Sequence, residues 1–409
     1  MIAYLDGWMQ VRPLDTENRR DIRRFVEFPF TLYADCPQWM PPLAASVKAV
    51  LDRRHYPFYK HSEADFFVAE EGRDVVGRIA VLENRRYNEY NQCRAAFFYL
   101  FDAIDDMAVA GGLFAAAAAW ATRRGLDMLY GPKGFLRADA VGILVEGFEH
   151  RAALSMPYNY AYYPRLLEAA GFAKEIDYLS GYVTAGHDLD ARFYTLAEKI
   201  KARRGFWVKS FTSKRELRAW IPRVQRVNNE AFTHAWGYYP LDDDEVQLIG
   251  RQLLSVADPR LMKIVMKGDD IAGFAFVFPD ISDALKKTRG RLWPFGWIRI
   301  LAEFKRTRRM CGNGIGLLPK YQGMGGSTLL YVELARTLKA AQATFCDLAQ
   351  VLETNTKSLG DMNAIGVQWY KRHRVYRRAL SFADPHINHE HTGHHHGHTS
   401  EETRASLDH

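Results

Sequence analysis

The chain has 409 residues, of which 48% are hydrophobic and 25% charged, and it carries a formal net charge of +7 at pH 7. That length allows two or three domains with full cores, and the composition is that of an ordinary globular protein. The four cysteines are scattered without a CxxC pair. We therefore expect a reducing compartment, and neither a disulfide framework nor a zinc knuckle.

The positive charge is concentrated in one segment of the chain. Residues 286–309 contain nine basic side chains and one acid, Glu303, which leaves the rest of the protein close to neutral. This distribution argues against a protein that wraps nucleic acid over its whole surface.

The apolar patterning predicts a cytoplasmic protein. Residues 1–10 contain Asp6 and lack the apolar core of a signal peptide. The longest apolar run, Met107 to Ala121, is too short to span a bilayer and predicts a buried helix instead.

Hydrophobic periodicity and turn residues predict alternating strands and helices along the chain. In the first half the predicted elements are a strand at 7–11, a helix at 15–28, a hairpin at 64–82, a strand at 95–101, a helix at 106–124, a strand at 128–130 and a helix at 162–170.

The second half repeats the plan of the first. Residues 68–82 align with residues 264–278 and share their glycine spacing, and Gly171 aligns with Gly366 at nearly the same offset. Two matches at nearly the same offset indicate an internal duplication. We therefore predict one domain at 1–188 and a second at 189–380.

Residues 381–409 form a polar tail with seven histidines between His386 and His398. Histidine-rich tracts can bind metal, but a disordered tail that does so only incidentally is the simpler interpretation. We predict no metal site in this protein.

A glycine-rich turn stands out in the second half. Residues 322–327, with the sequence Gln-Gly-Met-Gly-Gly-Ser, follow a short apolar segment and precede an amphipathic run that ends near Ala341. The order is strand, turn, helix. Glycines bring the backbone close to a ligand, and the helix N-terminus adds its positive dipole end, so the pattern predicts a cradle for phosphate. The corresponding place in the first half holds Asp105 and Asp106, which would cap a helix but repel a phosphate.

The motif Gln322-x-x-Gly325-x-Ser327 resembles the pyrophosphate motif of the GNAT acyltransferases, which is usually written Gln/Arg-x-x-Gly-x-Gly/Ala. Ser327 is a small departure that leaves the backbone amides available. Further along, Asn355 opens a predicted helix that ends at Gly366, as in the second half of that family's cofactor site. Apart from the tail at 381–409, the chain resembles a bacterial tandem GNAT group that includes ceramide synthase-like N-acyltransferases. The segments that carry this resemblance are 142–148, 156–159, 228–232, 351–355 and 370–372.

The resemblance implies a fold of the α/β (α+β) class, with two tandem GNAT-like domains, each a mixed, mostly antiparallel twisted sheet flanked by helices. It implies acyl-CoA as a co-substrate, a primary amine as acceptor and no tightly bound cofactor. Acyl-CoA would lie where two central strands splay apart, and backbone amides there would polarise the thioester carbonyl. The implied cofactor-binding residues are Leu317, Leu318, Gln322, Gly323, Met324, Gly325, Gly326, Ser327 and Asn355.

The residues that move protons are less clear from the sequence. Many GNAT enzymes place a tyrosine acid about seven residues after the asparagine, where this chain has Met362. Asp347 and Glu353 are our candidate bases, since they are six residues apart and share a face if the strand is regular. Glu353 could equally cap the following helix. The candidate substrate-binding residues are Glu230, Tyr158, Asn159 and Trp297.

The basic segment also contains tryptophans and a predicted helix at 298–309. Trp297, Ile300, Leu301 and Phe304 share one face of a helical wheel. Such a segment suits an anionic membrane surface, but packing between domains and nucleic-acid binding are alternatives, and we expect no nucleic acid.

The function that we predict is an acyl-CoA-dependent N-acyltransferase. Its acceptor would be a lipid amine, such as a sphingoid base, at the inner face of the cytoplasmic membrane. The alternatives are an acetyltransferase for a small polar amine or a protein lysine, and a tandem GNAT protein that binds acyl-CoA without catalysis.

Overall fold

The computed structural model describes residues 9–381, apart from the side chain of Asn313. The first two residues of the predicted N-terminal strand and nearly all of the histidine-rich tail therefore lie outside the described residues. The helices of the described range are α1 (Arg19–Leu32), α2 (Ala44–Leu51), α3 (Arg85–Asn91), α4 (Met107–Thr122), α5 (Tyr163–Ala169), α6 (Ala191–Arg204), α7 (Lys214–Ala231), α8 (Asp243–Val256), α9 (Ser282–Lys287), α10 (Gly296–Arg306), α11 (Gly326–Ala340) and α12 (Thr356–Ala364).

The strands are β1 (Met9–Pro13), β2 (Glu63–Glu71), β3 (Asp74–Glu83), β4 (Ala95–Ala103), β5 (Met128–Gly131), β6 (Ile143–Glu146), β7 (Ala173–Thr184), β8 (Phe206–Ser210), β9 (Met262–Lys267), β10 (Asp270–Pro279), β11 (Arg309–Leu317), β12 (Phe345–Leu352) and β13 (Gln368–Ala379). They form one sheet in the order β1-β2-β3-β4-β5-β13-β7-β12-β11-β10-β9-β8, with β6 paired to β13 off this path. The pairs β4/β5 and β11/β12 are parallel. All other pairs in the described sheet are antiparallel, so the predicted mixed, mostly antiparallel sheet with flanking helices is confirmed.

The two halves exchange their last strands. Strand β7, at the end of the first half, pairs with β12 of the second half. Strand β13, at the end of the chain, lies between β5 and β7 and pairs with both. Neither half completes its sheet with its own last strand, so the halves meet through backbone hydrogen bonds as well as side chains. The division at residue 188 stays a prediction.

The repeated glycines occupy equivalent turns. Gly72, in the β2–β3 hairpin, and Gly268, in the β9–β10 hairpin, both have φ of 59°. Gly171 and Gly366, before the exchanged strands, have φ of 82° and 79°. Left-handed backbone favours glycine because it has no Cβ. The same conformation at both pairs of positions agrees with the predicted duplication.

Helix α4 covers one face of the first half's strands. Leu113, Phe114 and Trp120 are at most 1% exposed, in a core that also includes residues of β3 and β4. The prediction of a buried helix here is confirmed. Within residues 9–381, no helix is both long enough and apolar enough to cross a membrane.

Candidate active site

The parallel strands β11 and β12 separate partway along the sheet. They pair from Arg309 opposite Phe345 only as far as Gly312 opposite Leu348. Just beyond, β11 bulges against β10: Ile315 lies opposite Ala275 and Gly312 opposite Val277, and Gly314 has φ of 113°. An extra residue bends a strand away from its neighbour. The result is a V-shaped gap in the middle of the sheet, with its vertex at the Gly312–Leu348 pair.

Backbone amides that face this gap come from alternate residues of β11. The amide of Leu318 donates to the carbonyl of Ala272 on β10 at 2.9 Å. It is therefore engaged within the sheet, and a role of this amide in polarising a thioester carbonyl stays a prediction. Alternation turns the amide of Leu317 to the opposite side, towards the gap. Leu317 stays a candidate for binding the thioester or the pantetheine arm.

The glycine-rich turn leads from β11 into α11, as predicted. Gly325 is the N-cap of α11, with φ of 91° and no side-chain hydrogen bond to the helix, and Gly323 has φ of 72°. The first amides of a helix have no intrahelical acceptor. Those of Gly326 and Ser327 therefore remain available, at the positive end of the helix dipole, to an anion such as a pyrophosphate.

The corresponding helix of the first half is closed by its own side chain. Asp106 is the N-cap of α4, and its carboxylate accepts hydrogen bonds from the amides of Ala108 at 2.6 Å and Val109 at 3.0 Å. The predicted capping aspartate is confirmed. Of the two equivalent helices, only α11 offers uncapped amides.

Gly325 has a packing role besides its backbone conformation. A Cβ built at this position would lie 2.3 Å from Cδ1 of Ile200 on α6, whereas one at Gly323 would meet nothing within 4 Å. Met324, between them, packs against the same cluster as Ile200. Any side chain at position 325 would therefore displace α6 as well as obstruct the turn.

A lysine that we did not single out from the sequence lies beside this turn. Lys357, in the first turn of α12, donates from Nζ to Oε1 of Gln322 at 3.0 Å. Asn355 caps the same helix, accepting from the amide of Ser358 at 3.1 Å. The position of Asn355 thus has a structural reason, and Lys357 brings a positive charge to the anion cradle. The signal available in the sequence was a lysine two residues after Asn355.

On the other face of the sheet, Asp347 lies at the vertex of the gap. It pairs in register with Cys311, one residue before the Gly312–Leu348 pair, and is 2% exposed. Its neighbour Cys346 packs in the cluster that includes α11. Alternation along β12 therefore turns Asp347 to the face opposite α11.

Asp347 accepts a hydrogen bond from the hydroxyl of Tyr370, and Nζ of Lys371 donates to that same hydroxyl at 2.8 Å. Tyr370 is the extra residue of a bulge in β13, where Trp369 pairs with Gly181 and Lys371 with Ser180. The bulge lets Tyr370 reach β12 across the intervening strand β7. Gly147, with φ of 87°, makes room for this bulge, since a Cβ there would lie 2.2 Å from the Tyr370 carbonyl oxygen.

Other charged groups surround this trio. Arg309 lies 3.9 Å from Asp347 and also 3.9 Å from Asp280, and Arg151, from the long loop of the first half, pairs with Asp280 at 3.1 Å. The backbone carbonyl of Arg151 accepts from Nζ of Lys371. The cluster therefore draws on both halves of the chain.

Burial shifts the pKa values of the two ionisable groups at its centre. It raises the pKa of Asp347 to about 6, against the opposing effects of Lys371 and Arg309. It lowers the pKa of Lys371 to about 8, against the attraction of Asp347. Both groups therefore titrate close to neutral pH, as groups that exchange protons in a reaction must.

Glu353, our other candidate base, does not share the face of Asp347. Between them β12 has a bulge, with Leu348 opposite Gly181 but Val351 opposite Leu179, and Gln350 has φ of 57°. One extra residue reverses the alternation. Glu353 instead pairs with Lys174 at 2.8 Å and accepts from the amide of Asp177 at 3.0 Å. These bonds tie it to β7.

The four residues that we expected to bind the acceptor are not brought together. Asn159 is buried and hydrogen-bonds the backbone of Leu144 on β6 at 2.7 and 3.1 Å. Tyr158 donates to the carbonyl of Phe148 at 2.9 Å. Glu230 is exposed at the end of α7, and Trp297 is 47% exposed on α10. Tyr158 and Asn159 thus hold the long loop of the first half, and the substrate-binding role of all four stays a prediction.

The basic segment, residues 286–309, is anchored near its start and exposed around residues 292–301. Lys286 donates to the carbonyls of Cys36 and Pro37 at 3.0 and 2.8 Å, and the carbonyl of Gly290 accepts from the amide of Ala44 at 3.0 Å. The apolar face predicted for the helix is divided: Ile300 and Phe304 pack inward, whereas Trp297 and Leu301 are exposed.

No family model matches the chain. It is 28% identical over 371 residues to Protein YghO of Escherichia coli (strain K12), an alignment that covers 89% of this chain and 94% of that protein. It is 26% identical over 372 residues to the bacterial ceramide synthase of Caulobacter vibrioides (strain NA1000 / CB15N), covering 88% of this chain and 95% of that protein. Among solved structures, a tandem GNAT protein from the clavulanic acid biosynthesis pathway aligns with a TM-score of 0.55 at 13% identity, covering 92% of this chain and 100% of that one.

Proposed function

We propose that this chain, which has the tandem GNAT fold, is an acyl-CoA-dependent N-acyltransferase whose second half carries the reaction. The observation that supports this most directly is a single arrangement around the gap between β11 and β12. An uncapped, glycine-rich helix N-terminus lies at one side of the gap, and the Asp347–Tyr370–Lys371 trio lies at its vertex on the other face. The helix N-terminus suits the anionic part of coenzyme A, and the trio suits an attacking amine.

In this proposal the amides of Gly326 and Ser327, with Lys357 beside them, bind the pyrophosphate of coenzyme A. The pantetheine arm then enters the gap, where the amide of Leu317 is free to hydrogen-bond it or the thioester carbonyl. A donor aimed at the carbonyl oxygen stabilises the negative charge that develops there during attack. Fixing both ends of the acyl donor also places the carbonyl carbon at a defined position.

The chemistry is direct transfer. The amine nitrogen forms a bond to the carbonyl carbon, the carbon–sulfur bond breaks, and coenzyme A leaves as a thiolate. Tyr370 is partly exposed, whereas Asp347 and Lys371 are buried, so we assign Tyr370 the contact with the reacting groups. The Tyr370 hydroxyl donates a hydrogen bond to the Asp347 carboxylate and accepts one from the Lys371 ammonium. The trio can thus take a proton from the amine and return one to the thiolate.

The finer part of the proposal is that the acceptor is a lipid amine, reached at the inner surface of the cytoplasmic membrane. Six of the eleven exposed large hydrophobic side chains of the described residues fall in one stretch of ten residues. They are Leu292, Trp293, Phe295, Trp297, Ile298 and Leu301. Basic side chains flank them in a segment with a charge of about +8, and this combination suits the interface of an anionic bilayer. The similarity to a ceramide synthase points to the same class of acceptor.

The direct test is an assay of purified protein for release of free coenzyme A. Acetyl-, octanoyl- and palmitoyl-CoA would each be offered with a sphingoid base in mixed micelles, with a small polar amine and with a lysine peptide. We expect turnover with the sphingoid base and a long-chain donor. Turnover with acetyl-CoA and soluble amines alone would favour the small-amine acetyltransferase. Micromolar binding of coenzyme A without turnover of any pair would favour the non-catalytic protein.

A further inference from the structure

An apolar cavity lies under helix α11, on the face of the sheet opposite Asp347. The cavity is partly open, and its space is about 840 Å³ when the solvent at its opening is included. Tyr331, Leu334, Ala335 and Leu338 line it from α11, at the spacing of a single helix face. Cys346 and Leu348 of β12 form part of its floor, and the polar residues His187, Asp188 and Lys339 lie towards the linker between β7 and α6.

The cavity begins where the gap in the sheet begins. Ile315, the first paired residue of β11 beyond the bulge, and Leu348, at the vertex, both line it. From there it runs along the underside of α11 towards the C-terminal end of that helix. The glycine-rich turn lies at the opposite, N-terminal end of α11. The turn, α11 and the cavity lie on the same face of the sheet. A molecule held by its pyrophosphate at that turn, with its thioester at the gap, can therefore place a chain attached beyond the thioester in this cavity.

The lining of the cavity determines which part of a ligand can bind there. Val277 and Cys346 are 2% exposed and Leu334 is 6% exposed. These apolar walls offer little to a polar ligand, whereas each methylene that they remove from water is favourable. The pyrophosphate is assigned to the turn at the opposite end of α11, so an apolar chain attached beyond the thioester is the part of acyl-CoA that fits.

We propose that this cavity binds the acyl chain of a long-chain acyl-CoA, an assignment that rests on the proposed acyl-CoA site. Chain length is then limited by the distance from the Ile315–Leu348 end to the linker at residues 185–189. Ala335 and Ala343 keep the space open because they are small. A bulky residue at position 335 would shorten the chain that the cavity accepts.

The test is equilibrium binding of coenzyme A, acetyl-CoA and palmitoyl-CoA, the last below its micellar concentration, to the wild-type protein and to Ala335→Phe. In the wild type, palmitoyl-CoA is expected to bind at least about tenfold more tightly than acetyl-CoA, since each buried methylene contributes about fourfold in affinity. In Ala335→Phe the affinity for palmitoyl-CoA is expected to fall about tenfold or more, with the affinity for acetyl-CoA within about twofold of wild type. Leu338→Trp provides a second obstruction if the first variant does not fold.

Ala340→Phe is the matched control, because Ala340 lies on the same helix but is exposed, and it should leave both affinities unchanged. Equal affinity of the wild type for palmitoyl-CoA and acetyl-CoA would overturn the proposal, as would an undiminished affinity for palmitoyl-CoA in folded Ala335→Phe. Binding separates this inference from the proposed function. Binding that depends on chain length, without transfer to any amine, would reject the proposed enzyme activity but support the acyl-chain cavity. Transfer whose chain-length profile is the same in the wild type and in Ala335→Phe would support the enzyme activity but reject the cavity.

Discussion

The hydroxyl of Tyr370 donates a hydrogen bond to the carboxylate of Asp347 across an intervening strand. The two residues belong to β13 and β12, which do not pair with each other, and β7 from the first half lies between them. The exchange of last strands places β7 between β13 and β12, and the bulge at Tyr370 lets its side chain reach Asp347 across β7. All three residues of the proposed proton-transfer group belong to the second half, and the first half contributes the strand that lies between Tyr370 and Asp347.

Replacing Tyr370 by Phe is expected to lower kcat about 100-fold or more, the usual loss on removing a group that moves protons. The KM for acyl-CoA should change little, since the coenzyme is held on the other face of the sheet. Steady-state kinetics with the best donor–acceptor pair would measure both. Tyr182→Phe is the control, because its ring lies 5.0 Å from that of Tyr370. Equal losses in the two variants would contradict a special role for Tyr370.

The pH dependence of the rate should report Asp347. Burial raises the pKa of this carboxyl to about 6, so the ionised form that accepts from Tyr370 is lost as pH falls through 6. The expected profile of kcat declines below pH 6, and Asp347→Asn should show a low rate without that decline. A profile that stays level down to pH 5 in the wild type would argue against the assignment.

The carboxyl of Asp347 should stabilise the fold more at low pH than at high pH, which is the opposite of its effect on the rate. Its pKa is raised on folding, so its contribution to stability is fully present below the unfolded value of about 3.8 and is lost as pH rises through 6. Relative to Asp347→Asn, the wild type is expected to lose about 1 kcal/mol more unfolding free energy between pH 5 and pH 8. Urea denaturation of both proteins at the two pH values would measure this difference. A constant difference would mean that the carboxyl titrates normally.

Lys357→Ala is expected to weaken coenzyme A binding about tenfold, because one charge-assisted contact to phosphate is lost at an exposed site. Titration calorimetry with coenzyme A would measure it, and dephospho-coenzyme A would show whether the loss concerns the pyrophosphate. Lys320→Ala removes the same charge nearby, but Lys320 is paired with Asp270 at 3.4 Å. It should therefore have a much smaller effect. Equal effects would indicate a general electrostatic attraction.

Gly325→Ala is expected to destabilise the protein by about 1–3 kcal/mol, since the new methyl group overlaps Ile200 and the backbone is left-handed. Combining it with Ile200→Ala should recover part of the stability and of the coenzyme A affinity. Thermal unfolding of the single and double variants would measure this coupling. Strictly additive losses would show that the contact with Ile200 is irrelevant.

The exposed aromatic residues of the basic segment should bind anionic vesicles. Trp293 and Phe295 are 81% and 71% exposed, and we expect the double variant Trp293→Ala/Phe295→Ala to lower partitioning into phosphatidylglycerol-containing vesicles about tenfold or more. Co-sedimentation would measure it, and neutral vesicles should bind less. Leu196→Ala, at an exposed apolar residue on α6, is the control. Unchanged partitioning would leave these aromatic residues without a membrane role.

Local sequence determined much of what supports the fold and the coenzyme site. The turn glycines, the capping Asp106, the buried helix α4 and the glycine-rich entry to α11 follow from backbone conformation and hydrogen bonding within a few residues. The repeat made the two hairpins recognisable as equivalent. A mixed, mostly antiparallel sheet flanked by helices also follows from the resemblance, and the structure confirms it.

Tertiary structure decided which residues meet at the gap. The bulge in β12 turned Glu353 away from Asp347, and the pairing of β11 with β10 engaged the amide of Leu318. The bulge in β13 brought the Tyr370 hydroxyl to Asp347 across β7, with Lys371 bonded to that hydroxyl, although Tyr370-Lys371-Arg372 was visible in the sequence only as a family signature. Periodicity cannot reveal these outcomes, because one extra residue reverses a strand's faces and because pairing between distant strands depends on the packing of the whole sheet.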